Sequence, residues 1–350
     1  MPIYASYNSG LSADENARIG KIVTPLRAYI ERMSDNLREA GGPLEWLFNV
    51  ETSRRFAETI VGGNEFGEFE MVPEGGSAPN DSFDELWKKV IYHEQFMKGF
   101  HITRTMMEDS NWSVTAEMEG RAGKFISAYY RTLHSIAQRL LIDATNGTTR
   151  YNGMNFDLTA NDKKPLFAAD HTYGTEGDTQ SNYFYAINAN GPEANFLETV
   201  LAAGNAASMG MNDDNGVPMG YTFDTIILPA NKVALTQGVK KAVGSESEAN
   251  TSTNSINTQY GLWNVITLPQ WKADRNEFML MSKAANRDLM GNMFFKRSEL
   301  EIIDRVDIPT FNLDFSSRFR IGAGFGNYRH ISRVVISDSA VGGASELPMD

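Results

Sequence analysis

The stretch "EFEMVPEGGSAPNDSFDELW", Glu68 to Trp87, decides how the rest of the chain is read. Its middle, Pro73 to Asp81, is turn chemistry: Pro, Gly, Gly, Ser, Pro, Asn, Asp. Strand-like runs flank it, with Phe66, Phe69 and Met71 before and "VIYHEQFMKGFHI" after. The pattern predicts a long hairpin, or arm, with a polar tip. A two-stranded hairpin is marginal in water by itself. Its apolar flank residues, Phe69, Met71, Phe83 and Trp87, therefore need a surface to lean on, and Lys88 and Lys89 sit at its base.

Working outward, residues 12–40 read as helix in two pieces. Ser12 and Glu15 fit a capping box, and Thr24-Pro25 restarts the helix. Ile19, Ile22, Leu26, Ile30, Met33 and Leu37 form one apolar stripe, and Gly41-Gly42-Pro43 ends it. After the arm comes the longest helical pattern, Val114 to Ala144, with Phe125, Tyr129, Leu133, Ile136 and Leu140 on one ridge. About 30 residues at 1.5 Å each give a rod of roughly 45 Å, long enough to serve as a backbone for other layers.

Residues 150–195 are polar and loop-rich. Helix is expected again at 193–209, a buried strand at 221–229 in "YTFDTIILP", and a helix in "ANKVALTQGVKKAV". "GSESEANTSTNSINTQ", 244–259, is poor in apolar residues and reads as a mobile surface loop. Short strands follow in "LWNVITLP", "EFMLMS", "NMFFKRS", "LEIIDRV" and "RFRIGAGFG". The sum is an α+β chain.

The 350 residues carry 41% apolar and 22% charged side chains, enough for a real core. The formal charge of −12 disfavours a body built to grip phosphates. There is no cysteine, which removes disulfides, thiolate metal sites and cysteine nucleophiles. The N-terminus carries no basic apolar signal, and no run approaches a membrane span, so a soluble protein made in a cytoplasm is expected.

Catalytic motifs are sparse. Asp170-His171 in "LFAADHTYG" is the most enzyme-like pair and the basis of a hydrolase reading. Neighbours on a loop do not make a triad, which needs a base, an orienter and a nucleophile converging in space. "DDNG" at Asp213–Gly216 has too few carboxylates for a calcium loop and reads as a turn. "GAGFG" at 322–326 lacks dinucleotide spacing and suggests a close backbone approach. Lys88-Lys89 reads as a solvated pair. No catalytic residue, cofactor or metal is expected. The unusual features are shapes, which suit a protein whose work is contact with copies of itself.

The order of these parts resembles the major capsid proteins of tailed bacteriophages, which have the Hong Kong ninety-seven fold. The likeness is carried by "FEMVPEGGSAPNDSFDELWKKVIYHEQFMKGFHITRTMMED", the long helix, "PLFAADHTYGT", "TFDTIILPANKVALTQGVKKAVGS", "YGLWNVITLPQW" and "DIPTFNLDFSSRFRIGAGFGNYRHIS". It covers residues 45–335 by order rather than by one motif. The resemblance implies an N-terminal arm at 1–61 and an extended E-loop at 62–103. It implies a P-domain at 104–194 with its spine helix at 114–145. An α/β A-domain at 195–300 and return strands with a tail at 301–350 complete it. It implies self-assembly into pentamers and hexamers around double-stranded DNA, with Phe69, Met71, Phe83, Trp87, Lys88 and Lys89 at subunit contacts. The implied partners are a portal, decoration proteins and a separate scaffolding protein, unless a scaffolding segment is trimmed from the chain as in many relatives; no membrane is involved. The implied location is the virion, and the host cytoplasm during assembly. An encapsulin-like compartment is the alternative within the fold. Lysine–asparagine cross-linking, found in some relatives, has no motif here.

Overall fold

The computed structural model describes residues 3–4, 28–63, 71–73, 77, 85–103, 105, 113–174, 177–188, 193–244, 259–307 and 312–349. The expected helix before residue 28, the arm residues Phe69 and Phe83, and most of the loop at 244–259 lie outside them. Two sheets and one long helix organise the rest.

The first sheet is built on β14 (Asn292–Asp307) and β15 (Asn312–Phe325), paired antiparallel. β5 (Glu94–Ile102) extends it beyond β15, while β1 (Ile3–Tyr4) and β2 (Asn49–Thr52) run parallel to β14 on its other edge. The inner face is an aromatic ladder. Phe100 lies directly opposite Phe315 and Phe96 opposite Phe319, with ring centroids 4.7 and 5.2 Å apart. Such opposed aromatic pairs add stability beyond their buried area.

A helix, α1, at residues 28–40 leads into α2 (Pro43–Leu47), with Pro at its start. The long helix α3 (Ser113–Ile142) lies over the ladder, where Phe125 meets Phe100 and Tyr129 meets Phe319. α1 packs beside α3: the Tyr130 hydroxyl donates to the Ser34 carbonyl, and Ile30 is buried. The sticky stripe of α1 is therefore covered within its own chain at Ile30. After α3, β6 (Thr148–Tyr151) and β7 (Met154–Asp157) form a hairpin turned by Asn152 and Gly153, both at positive φ.

β8 (His171–Tyr173) and β9 (Asp178–Gln180) pair next. The second sheet then has the order β12-β11-β13-β16-β10-β17. Its strands are β10 (Tyr183–Ile187), β11 (Thr225–Pro229), β12 (Asn264–Leu268), β13 (Asn276–Met281), β16 (Ile331–Ser337) and β17 (Ser345–Glu346). Every residue of β11 is buried, because both faces of this sheet are covered. On one face Ile226, Leu228, Phe278 and Leu280 pack with Leu197, Val200 and Leu201 of α4 (Ala194–Met209) and with Leu235 and Val239 of α5 (Val233–Gly244). On the other, Ile227, Ile266, Met279 and Met281 join the core that α3 shares with the first sheet. A short helix, α6 (Lys283–Asp288), is capped by the Ser282 hydroxyl, which accepts from the Ala285 amide.

Some boundaries differ from the sequence reading. "NMFFKRS" and "LEIIDRV" are one strand, β14, whose register shifts around Ser298 break the alternation. The return side of the arm is shorter than 62–103: β5 belongs to the first sheet, leaving the ribbon to end at Tyr92. β16, unpredicted, is a central strand.

Arg333 on β16 joins the second sheet to α3. Its Nη2 lies 2.9 Å from Glu277 Oε2, and its Nη1 donates to the carbonyl of Ile142 at the end of α3. The guanidinium also lies over the rings of Trp271 and Phe167. Both charges are nearly inaccessible. Arg333→Ala is expected to cost about 3–5 kcal/mol in chemical denaturation, since it strands Glu277 without a partner. The double variant Arg333→Met, Glu277→Leu should recover most of that loss. A single-variant cost below about 1 kcal/mol, the range of an exposed pair, would contradict this account.

Candidate assembly surface

Among the described residues β3 (Ala57–Gly63) and β4 (Glu85–Tyr92) pair only with each other, forming a two-stranded ribbon. Its strands alternate between two faces. The inner face carries Glu58, Ile60, Trp87, Lys89 and Ile91. Ile60 and Ile91 form a small core with Met293 and Phe295 of β14, and Trp87 packs at its margin. Trp87 lies so close over Gly62 that a side-chain carbon there would clash with the indole ring. The "GAGFG" run serves the same junction: a Cβ on Gly322 would come within 2.6 Å of the His93 ring.

Lys89 is the polar anchor. It is 8% exposed, and its ammonium donates to Asp157 Oδ2 on β7 and to both oxygens of Thr159. Asp157 in turn accepts from the Thr159 amide and hydroxyl. Burial opposes ionisation of Asp157, but the hydrogen bonds from Lys89 and Thr159 outweigh it and hold the carboxyl below its usual value. Lys88-Lys89 is thus not a solvated pair: Lys88 is exposed, while Lys89 is engaged within its own chain. Lys89→Met is expected to cost about 1–3 kcal/mol, the loss of a hydrogen-bonded charge, whereas Lys88→Met should be near neutral. Thermal unfolding of the two variants side by side checks this, and equal effects would overturn it.

The outer face of the ribbon has no cover among the described residues. It presents Ala57, Thr59, Val61, Lys88, Val90 and Tyr92, with Phe56 beside them. Phe56 is 74% and Tyr92 61% exposed, and their rings meet edge to face at 6.2 Å. Two aromatic rings and a valine are left in water together on a ribbon that is marginal by itself. Among the expected contact residues, Met71 is wholly exposed outside any strand, Lys88 faces outward, Trp87 and Lys89 face inward, and Phe69 and Phe83 lie outside the described residues. Phe56, Val61 and Tyr92 were not singled out from the sequence.

The hydrolase pair does not form. The Asp170 carboxylate bonds to Lys164 at 2.7 Å. His171 is fully buried, with Nδ1 2.7 Å from Asp162 Oδ2 and Nε2 3.1 Å from the Leu166 carbonyl. Its ring stacks on Tyr328 at 3.7 Å. Both nitrogens are occupied, and among the described residues no nucleophile bonds to them, so the ring serves as a strut. "DDNG" is a turn, with Asp213 Oδ1 accepting from the amides of Asn215 and Val217 and Gly216 at positive φ. Among the described residues no group of three or more His, Asp or Glu could hold a metal ion, and no helix is long and apolar enough to cross a membrane.

Burial alone would raise the carboxyl of Asp162. The hydrogen bond and charge of His171, with the amides of Lys164 and Thr172, prevail and hold it below 3.8. A carboxyl depressed on folding stabilises the protein above its unfolded value and loses that effect as pH falls through the folded value. Asp162→Asn should therefore be clearly less stable than the parent at pH 7, and the gap should narrow as the pH falls below the ordinary aspartate range and through the lowered folded value. Urea titrations across that range measure it; a gap independent of pH would refute the pairing.

No family model matches the sequence, and no curated protein is similar to it in sequence. Solved structures are similar in fold. One, from Mycobacterium phage Patience, has 15% identity and a TM-score of 0.49 over 98% of this chain and 92% of that one. A chain of the cyanophage P-SCSP1u capsid has 10% identity and a TM-score of 0.49, covering 84% and 87%. A chain of the satellite phage P4 procapsid, a particle that includes a size determination protein, has 13% identity and a TM-score of 0.47, covering 89% and 92%.

Proposed function

We propose that this chain is the major capsid subunit of a tailed phage, a structural protein that builds a closed shell from copies of itself. The observation that carries the reading is the ribbon: one face is fixed to its own body, and the other leaves Phe56, Val61 and Tyr92 bare. A neighbouring copy is the occupant that a self-assembling shell supplies. Burying the two rings on that copy contributes about 1.5–3 kcal/mol each, repeated at every contact. The order of parts supports the same reading. Ribbon, long helix, α/β sheet and returning long strands follow one another as the sequence resemblance implies.

In this reading the ribbon is the root of the E-loop, α3 is the spine of the P-domain, and the second sheet with α4 and α5 is the A-domain. Subunits form pentamers and hexamers that enclose double-stranded DNA without reading its sequence. The charge of −12 keeps the lining from adhering to the genome at large. A scaffolding protein, a portal and decoration proteins complete the particle, which forms in the host cytoplasm and ends as the virion. Turnover of a substrate has no place in it, and the strut geometry of His171 agrees.

The double variant Phe56→Ser, Tyr92→Ser tests the reading. Both side chains are exposed, so the chain should fold and melt like the parent. Particles should be lost, as seen by sedimentation and electron microscopy. Closed particles of normal size from the double variant would overturn the assignment of this face. Failure of the parent to form particles under any assembly condition would overturn the function.

A further inference from the structure

The ribbon joins the body at two crossings. The chain passes from β2 into β3 through residues 53–56 and from β4 into β5 through the single residue His93. The side chains at these crossings touch: His93 Nε2 lies 2.8 Å from Ser53 Oγ, and both residues are buried. Ser53 Oγ also lies 2.6 Å from Glu58 Oε1 on β3 and accepts from the Arg55 amide. A hydroxyl has one proton, and the carboxylate can only accept, so Ser53 donates to Glu58 and accepts from His93. His93 is then the Nε2–H tautomer. Its Nδ1 has no partner and lies packed against Gly322. Ser53 is pinned to the body as well, its amide donating to the Lys296 carbonyl on β14 and its carbonyl accepting from Arg297.

We propose that the Ser53–His93 pair is an acid-sensitive clasp: it locks the ribbon onto the body when the ring is neutral and releases it when His93 takes up a second proton. In the closed clasp that proton adds an N–H with no acceptor. It also adds a charge facing Arg297 of β14 and Arg320 of β15, with Glu58 of β3 the acidic group on the other side. Phe295, edge-on to the ring at 6.4 Å, offers no compensation. Lifting the ribbon wets the ring and removes the conflict. Burial, the largest influence, and the two arginines keep the closed ring below its ordinary value, against the pull of Glu58. The open form therefore binds the proton better. The closed form is favoured above the ordinary histidine range, and that preference is lost as pH falls through and below about 6.5. This inference concerns the free chain and does not depend on the shell reading.

Hydrogen exchange of the full-length chain between pH 7.5 and 5, corrected for intrinsic exchange, tests it. Amides of β3 and β4 should open more readily by up to about tenfold per pH unit below pH 6.5, the limit for one proton. Amides of β16 serve as the reference for global unfolding and should not follow. In His93→Gln, which keeps a donor for Ser53 but cannot titrate, the ribbon profile should be flat. Ser53→Ala, a second variant with little risk to folding, should raise ribbon opening at pH 7.5 and weaken its pH dependence. The clasp is refuted by a parent ribbon indifferent to pH, by β16 opening in step with it, by His93→Gln keeping the parental slope, or by Ser53→Ala matching the parent throughout.

Discussion

A buried guanidinium ties the second sheet to the end of the long helix and helps to hold the two in register. Arg333 projects from the middle of the second sheet, and its hydrogen bonds divide between Glu277 beside it and the last carbonyl of α3. A helix ends with carbonyls that lack partners and carry partial negative charge. Placing a cation there answers both needs, and the rings of Trp271 and Phe167 exclude water from the arrangement. Gln138 and Ser135, earlier on the same helix, add two more polar ties through Gln270 just after β12, so polar contacts along the helix decide where it meets the sheet. Apolar contacts resist separation well and sliding poorly. The aromatic ladder at the other half of the helix supplies area, and these polar ties supply position.

The same division of labour appears at the ribbon. Ile60, Ile91, Met293 and Phe295 give a small core too limited to orient two strands, and Lys89 adds direction through Asp157 and Thr159. Where backbone passes closest to backbone, glycine replaces side chains, as at Gly322 beneath His93. Polar contacts of high specificity therefore sit at the seams, while the interiors of the layers are filled by Leu, Ile, Val and Phe.

Much of this plan was legible in the sequence. The long helix was visible because Phe125, Leu133, Ile136 and Leu140 keep one face at helical spacing, and α4, α5 and β11 to β13 were visible through their period or their turns. "ISRVVIS" was not, because β16 is buried on both faces and shows no alternation. The division of "NMFFKRS" from "LEIIDRV" failed for a local reason: shifts of register around Ser298 reverse the alternation mid-strand. Lys89 was misjudged although a signal existed. Trp87, Lys89 and Ile91 are two apart, so they share a face, and a lysine between two large apolar residues on an inner face has to find a carboxylate. The partner of His171 was beyond sequence reasoning, since Asp162 is nine residues away and contacts from Leu166, Asn182 and Tyr328 shape the loop that brings them together.

The ribbon's two faces have a consequence for symmetry. Its bare face is flat and edge-like, while the body it springs from is a thick layered block, so a ribbon laid on another copy meets a surface unlike itself. A pair satisfies such a contact only by exchanging ribbons about a two-fold axis; without that axis the contact runs head to tail. Each copy that receives a ribbon still has its own to place, and the chain of contacts ends only when a ring closes on its first member. The angle between ribbon and body sets how many copies that takes. Because the crossings are only residues 53–56 and 93, a few backbone torsions at those points set the angle of the ribbon to its body, and small changes there are what one chain would need to enter rings of two sizes.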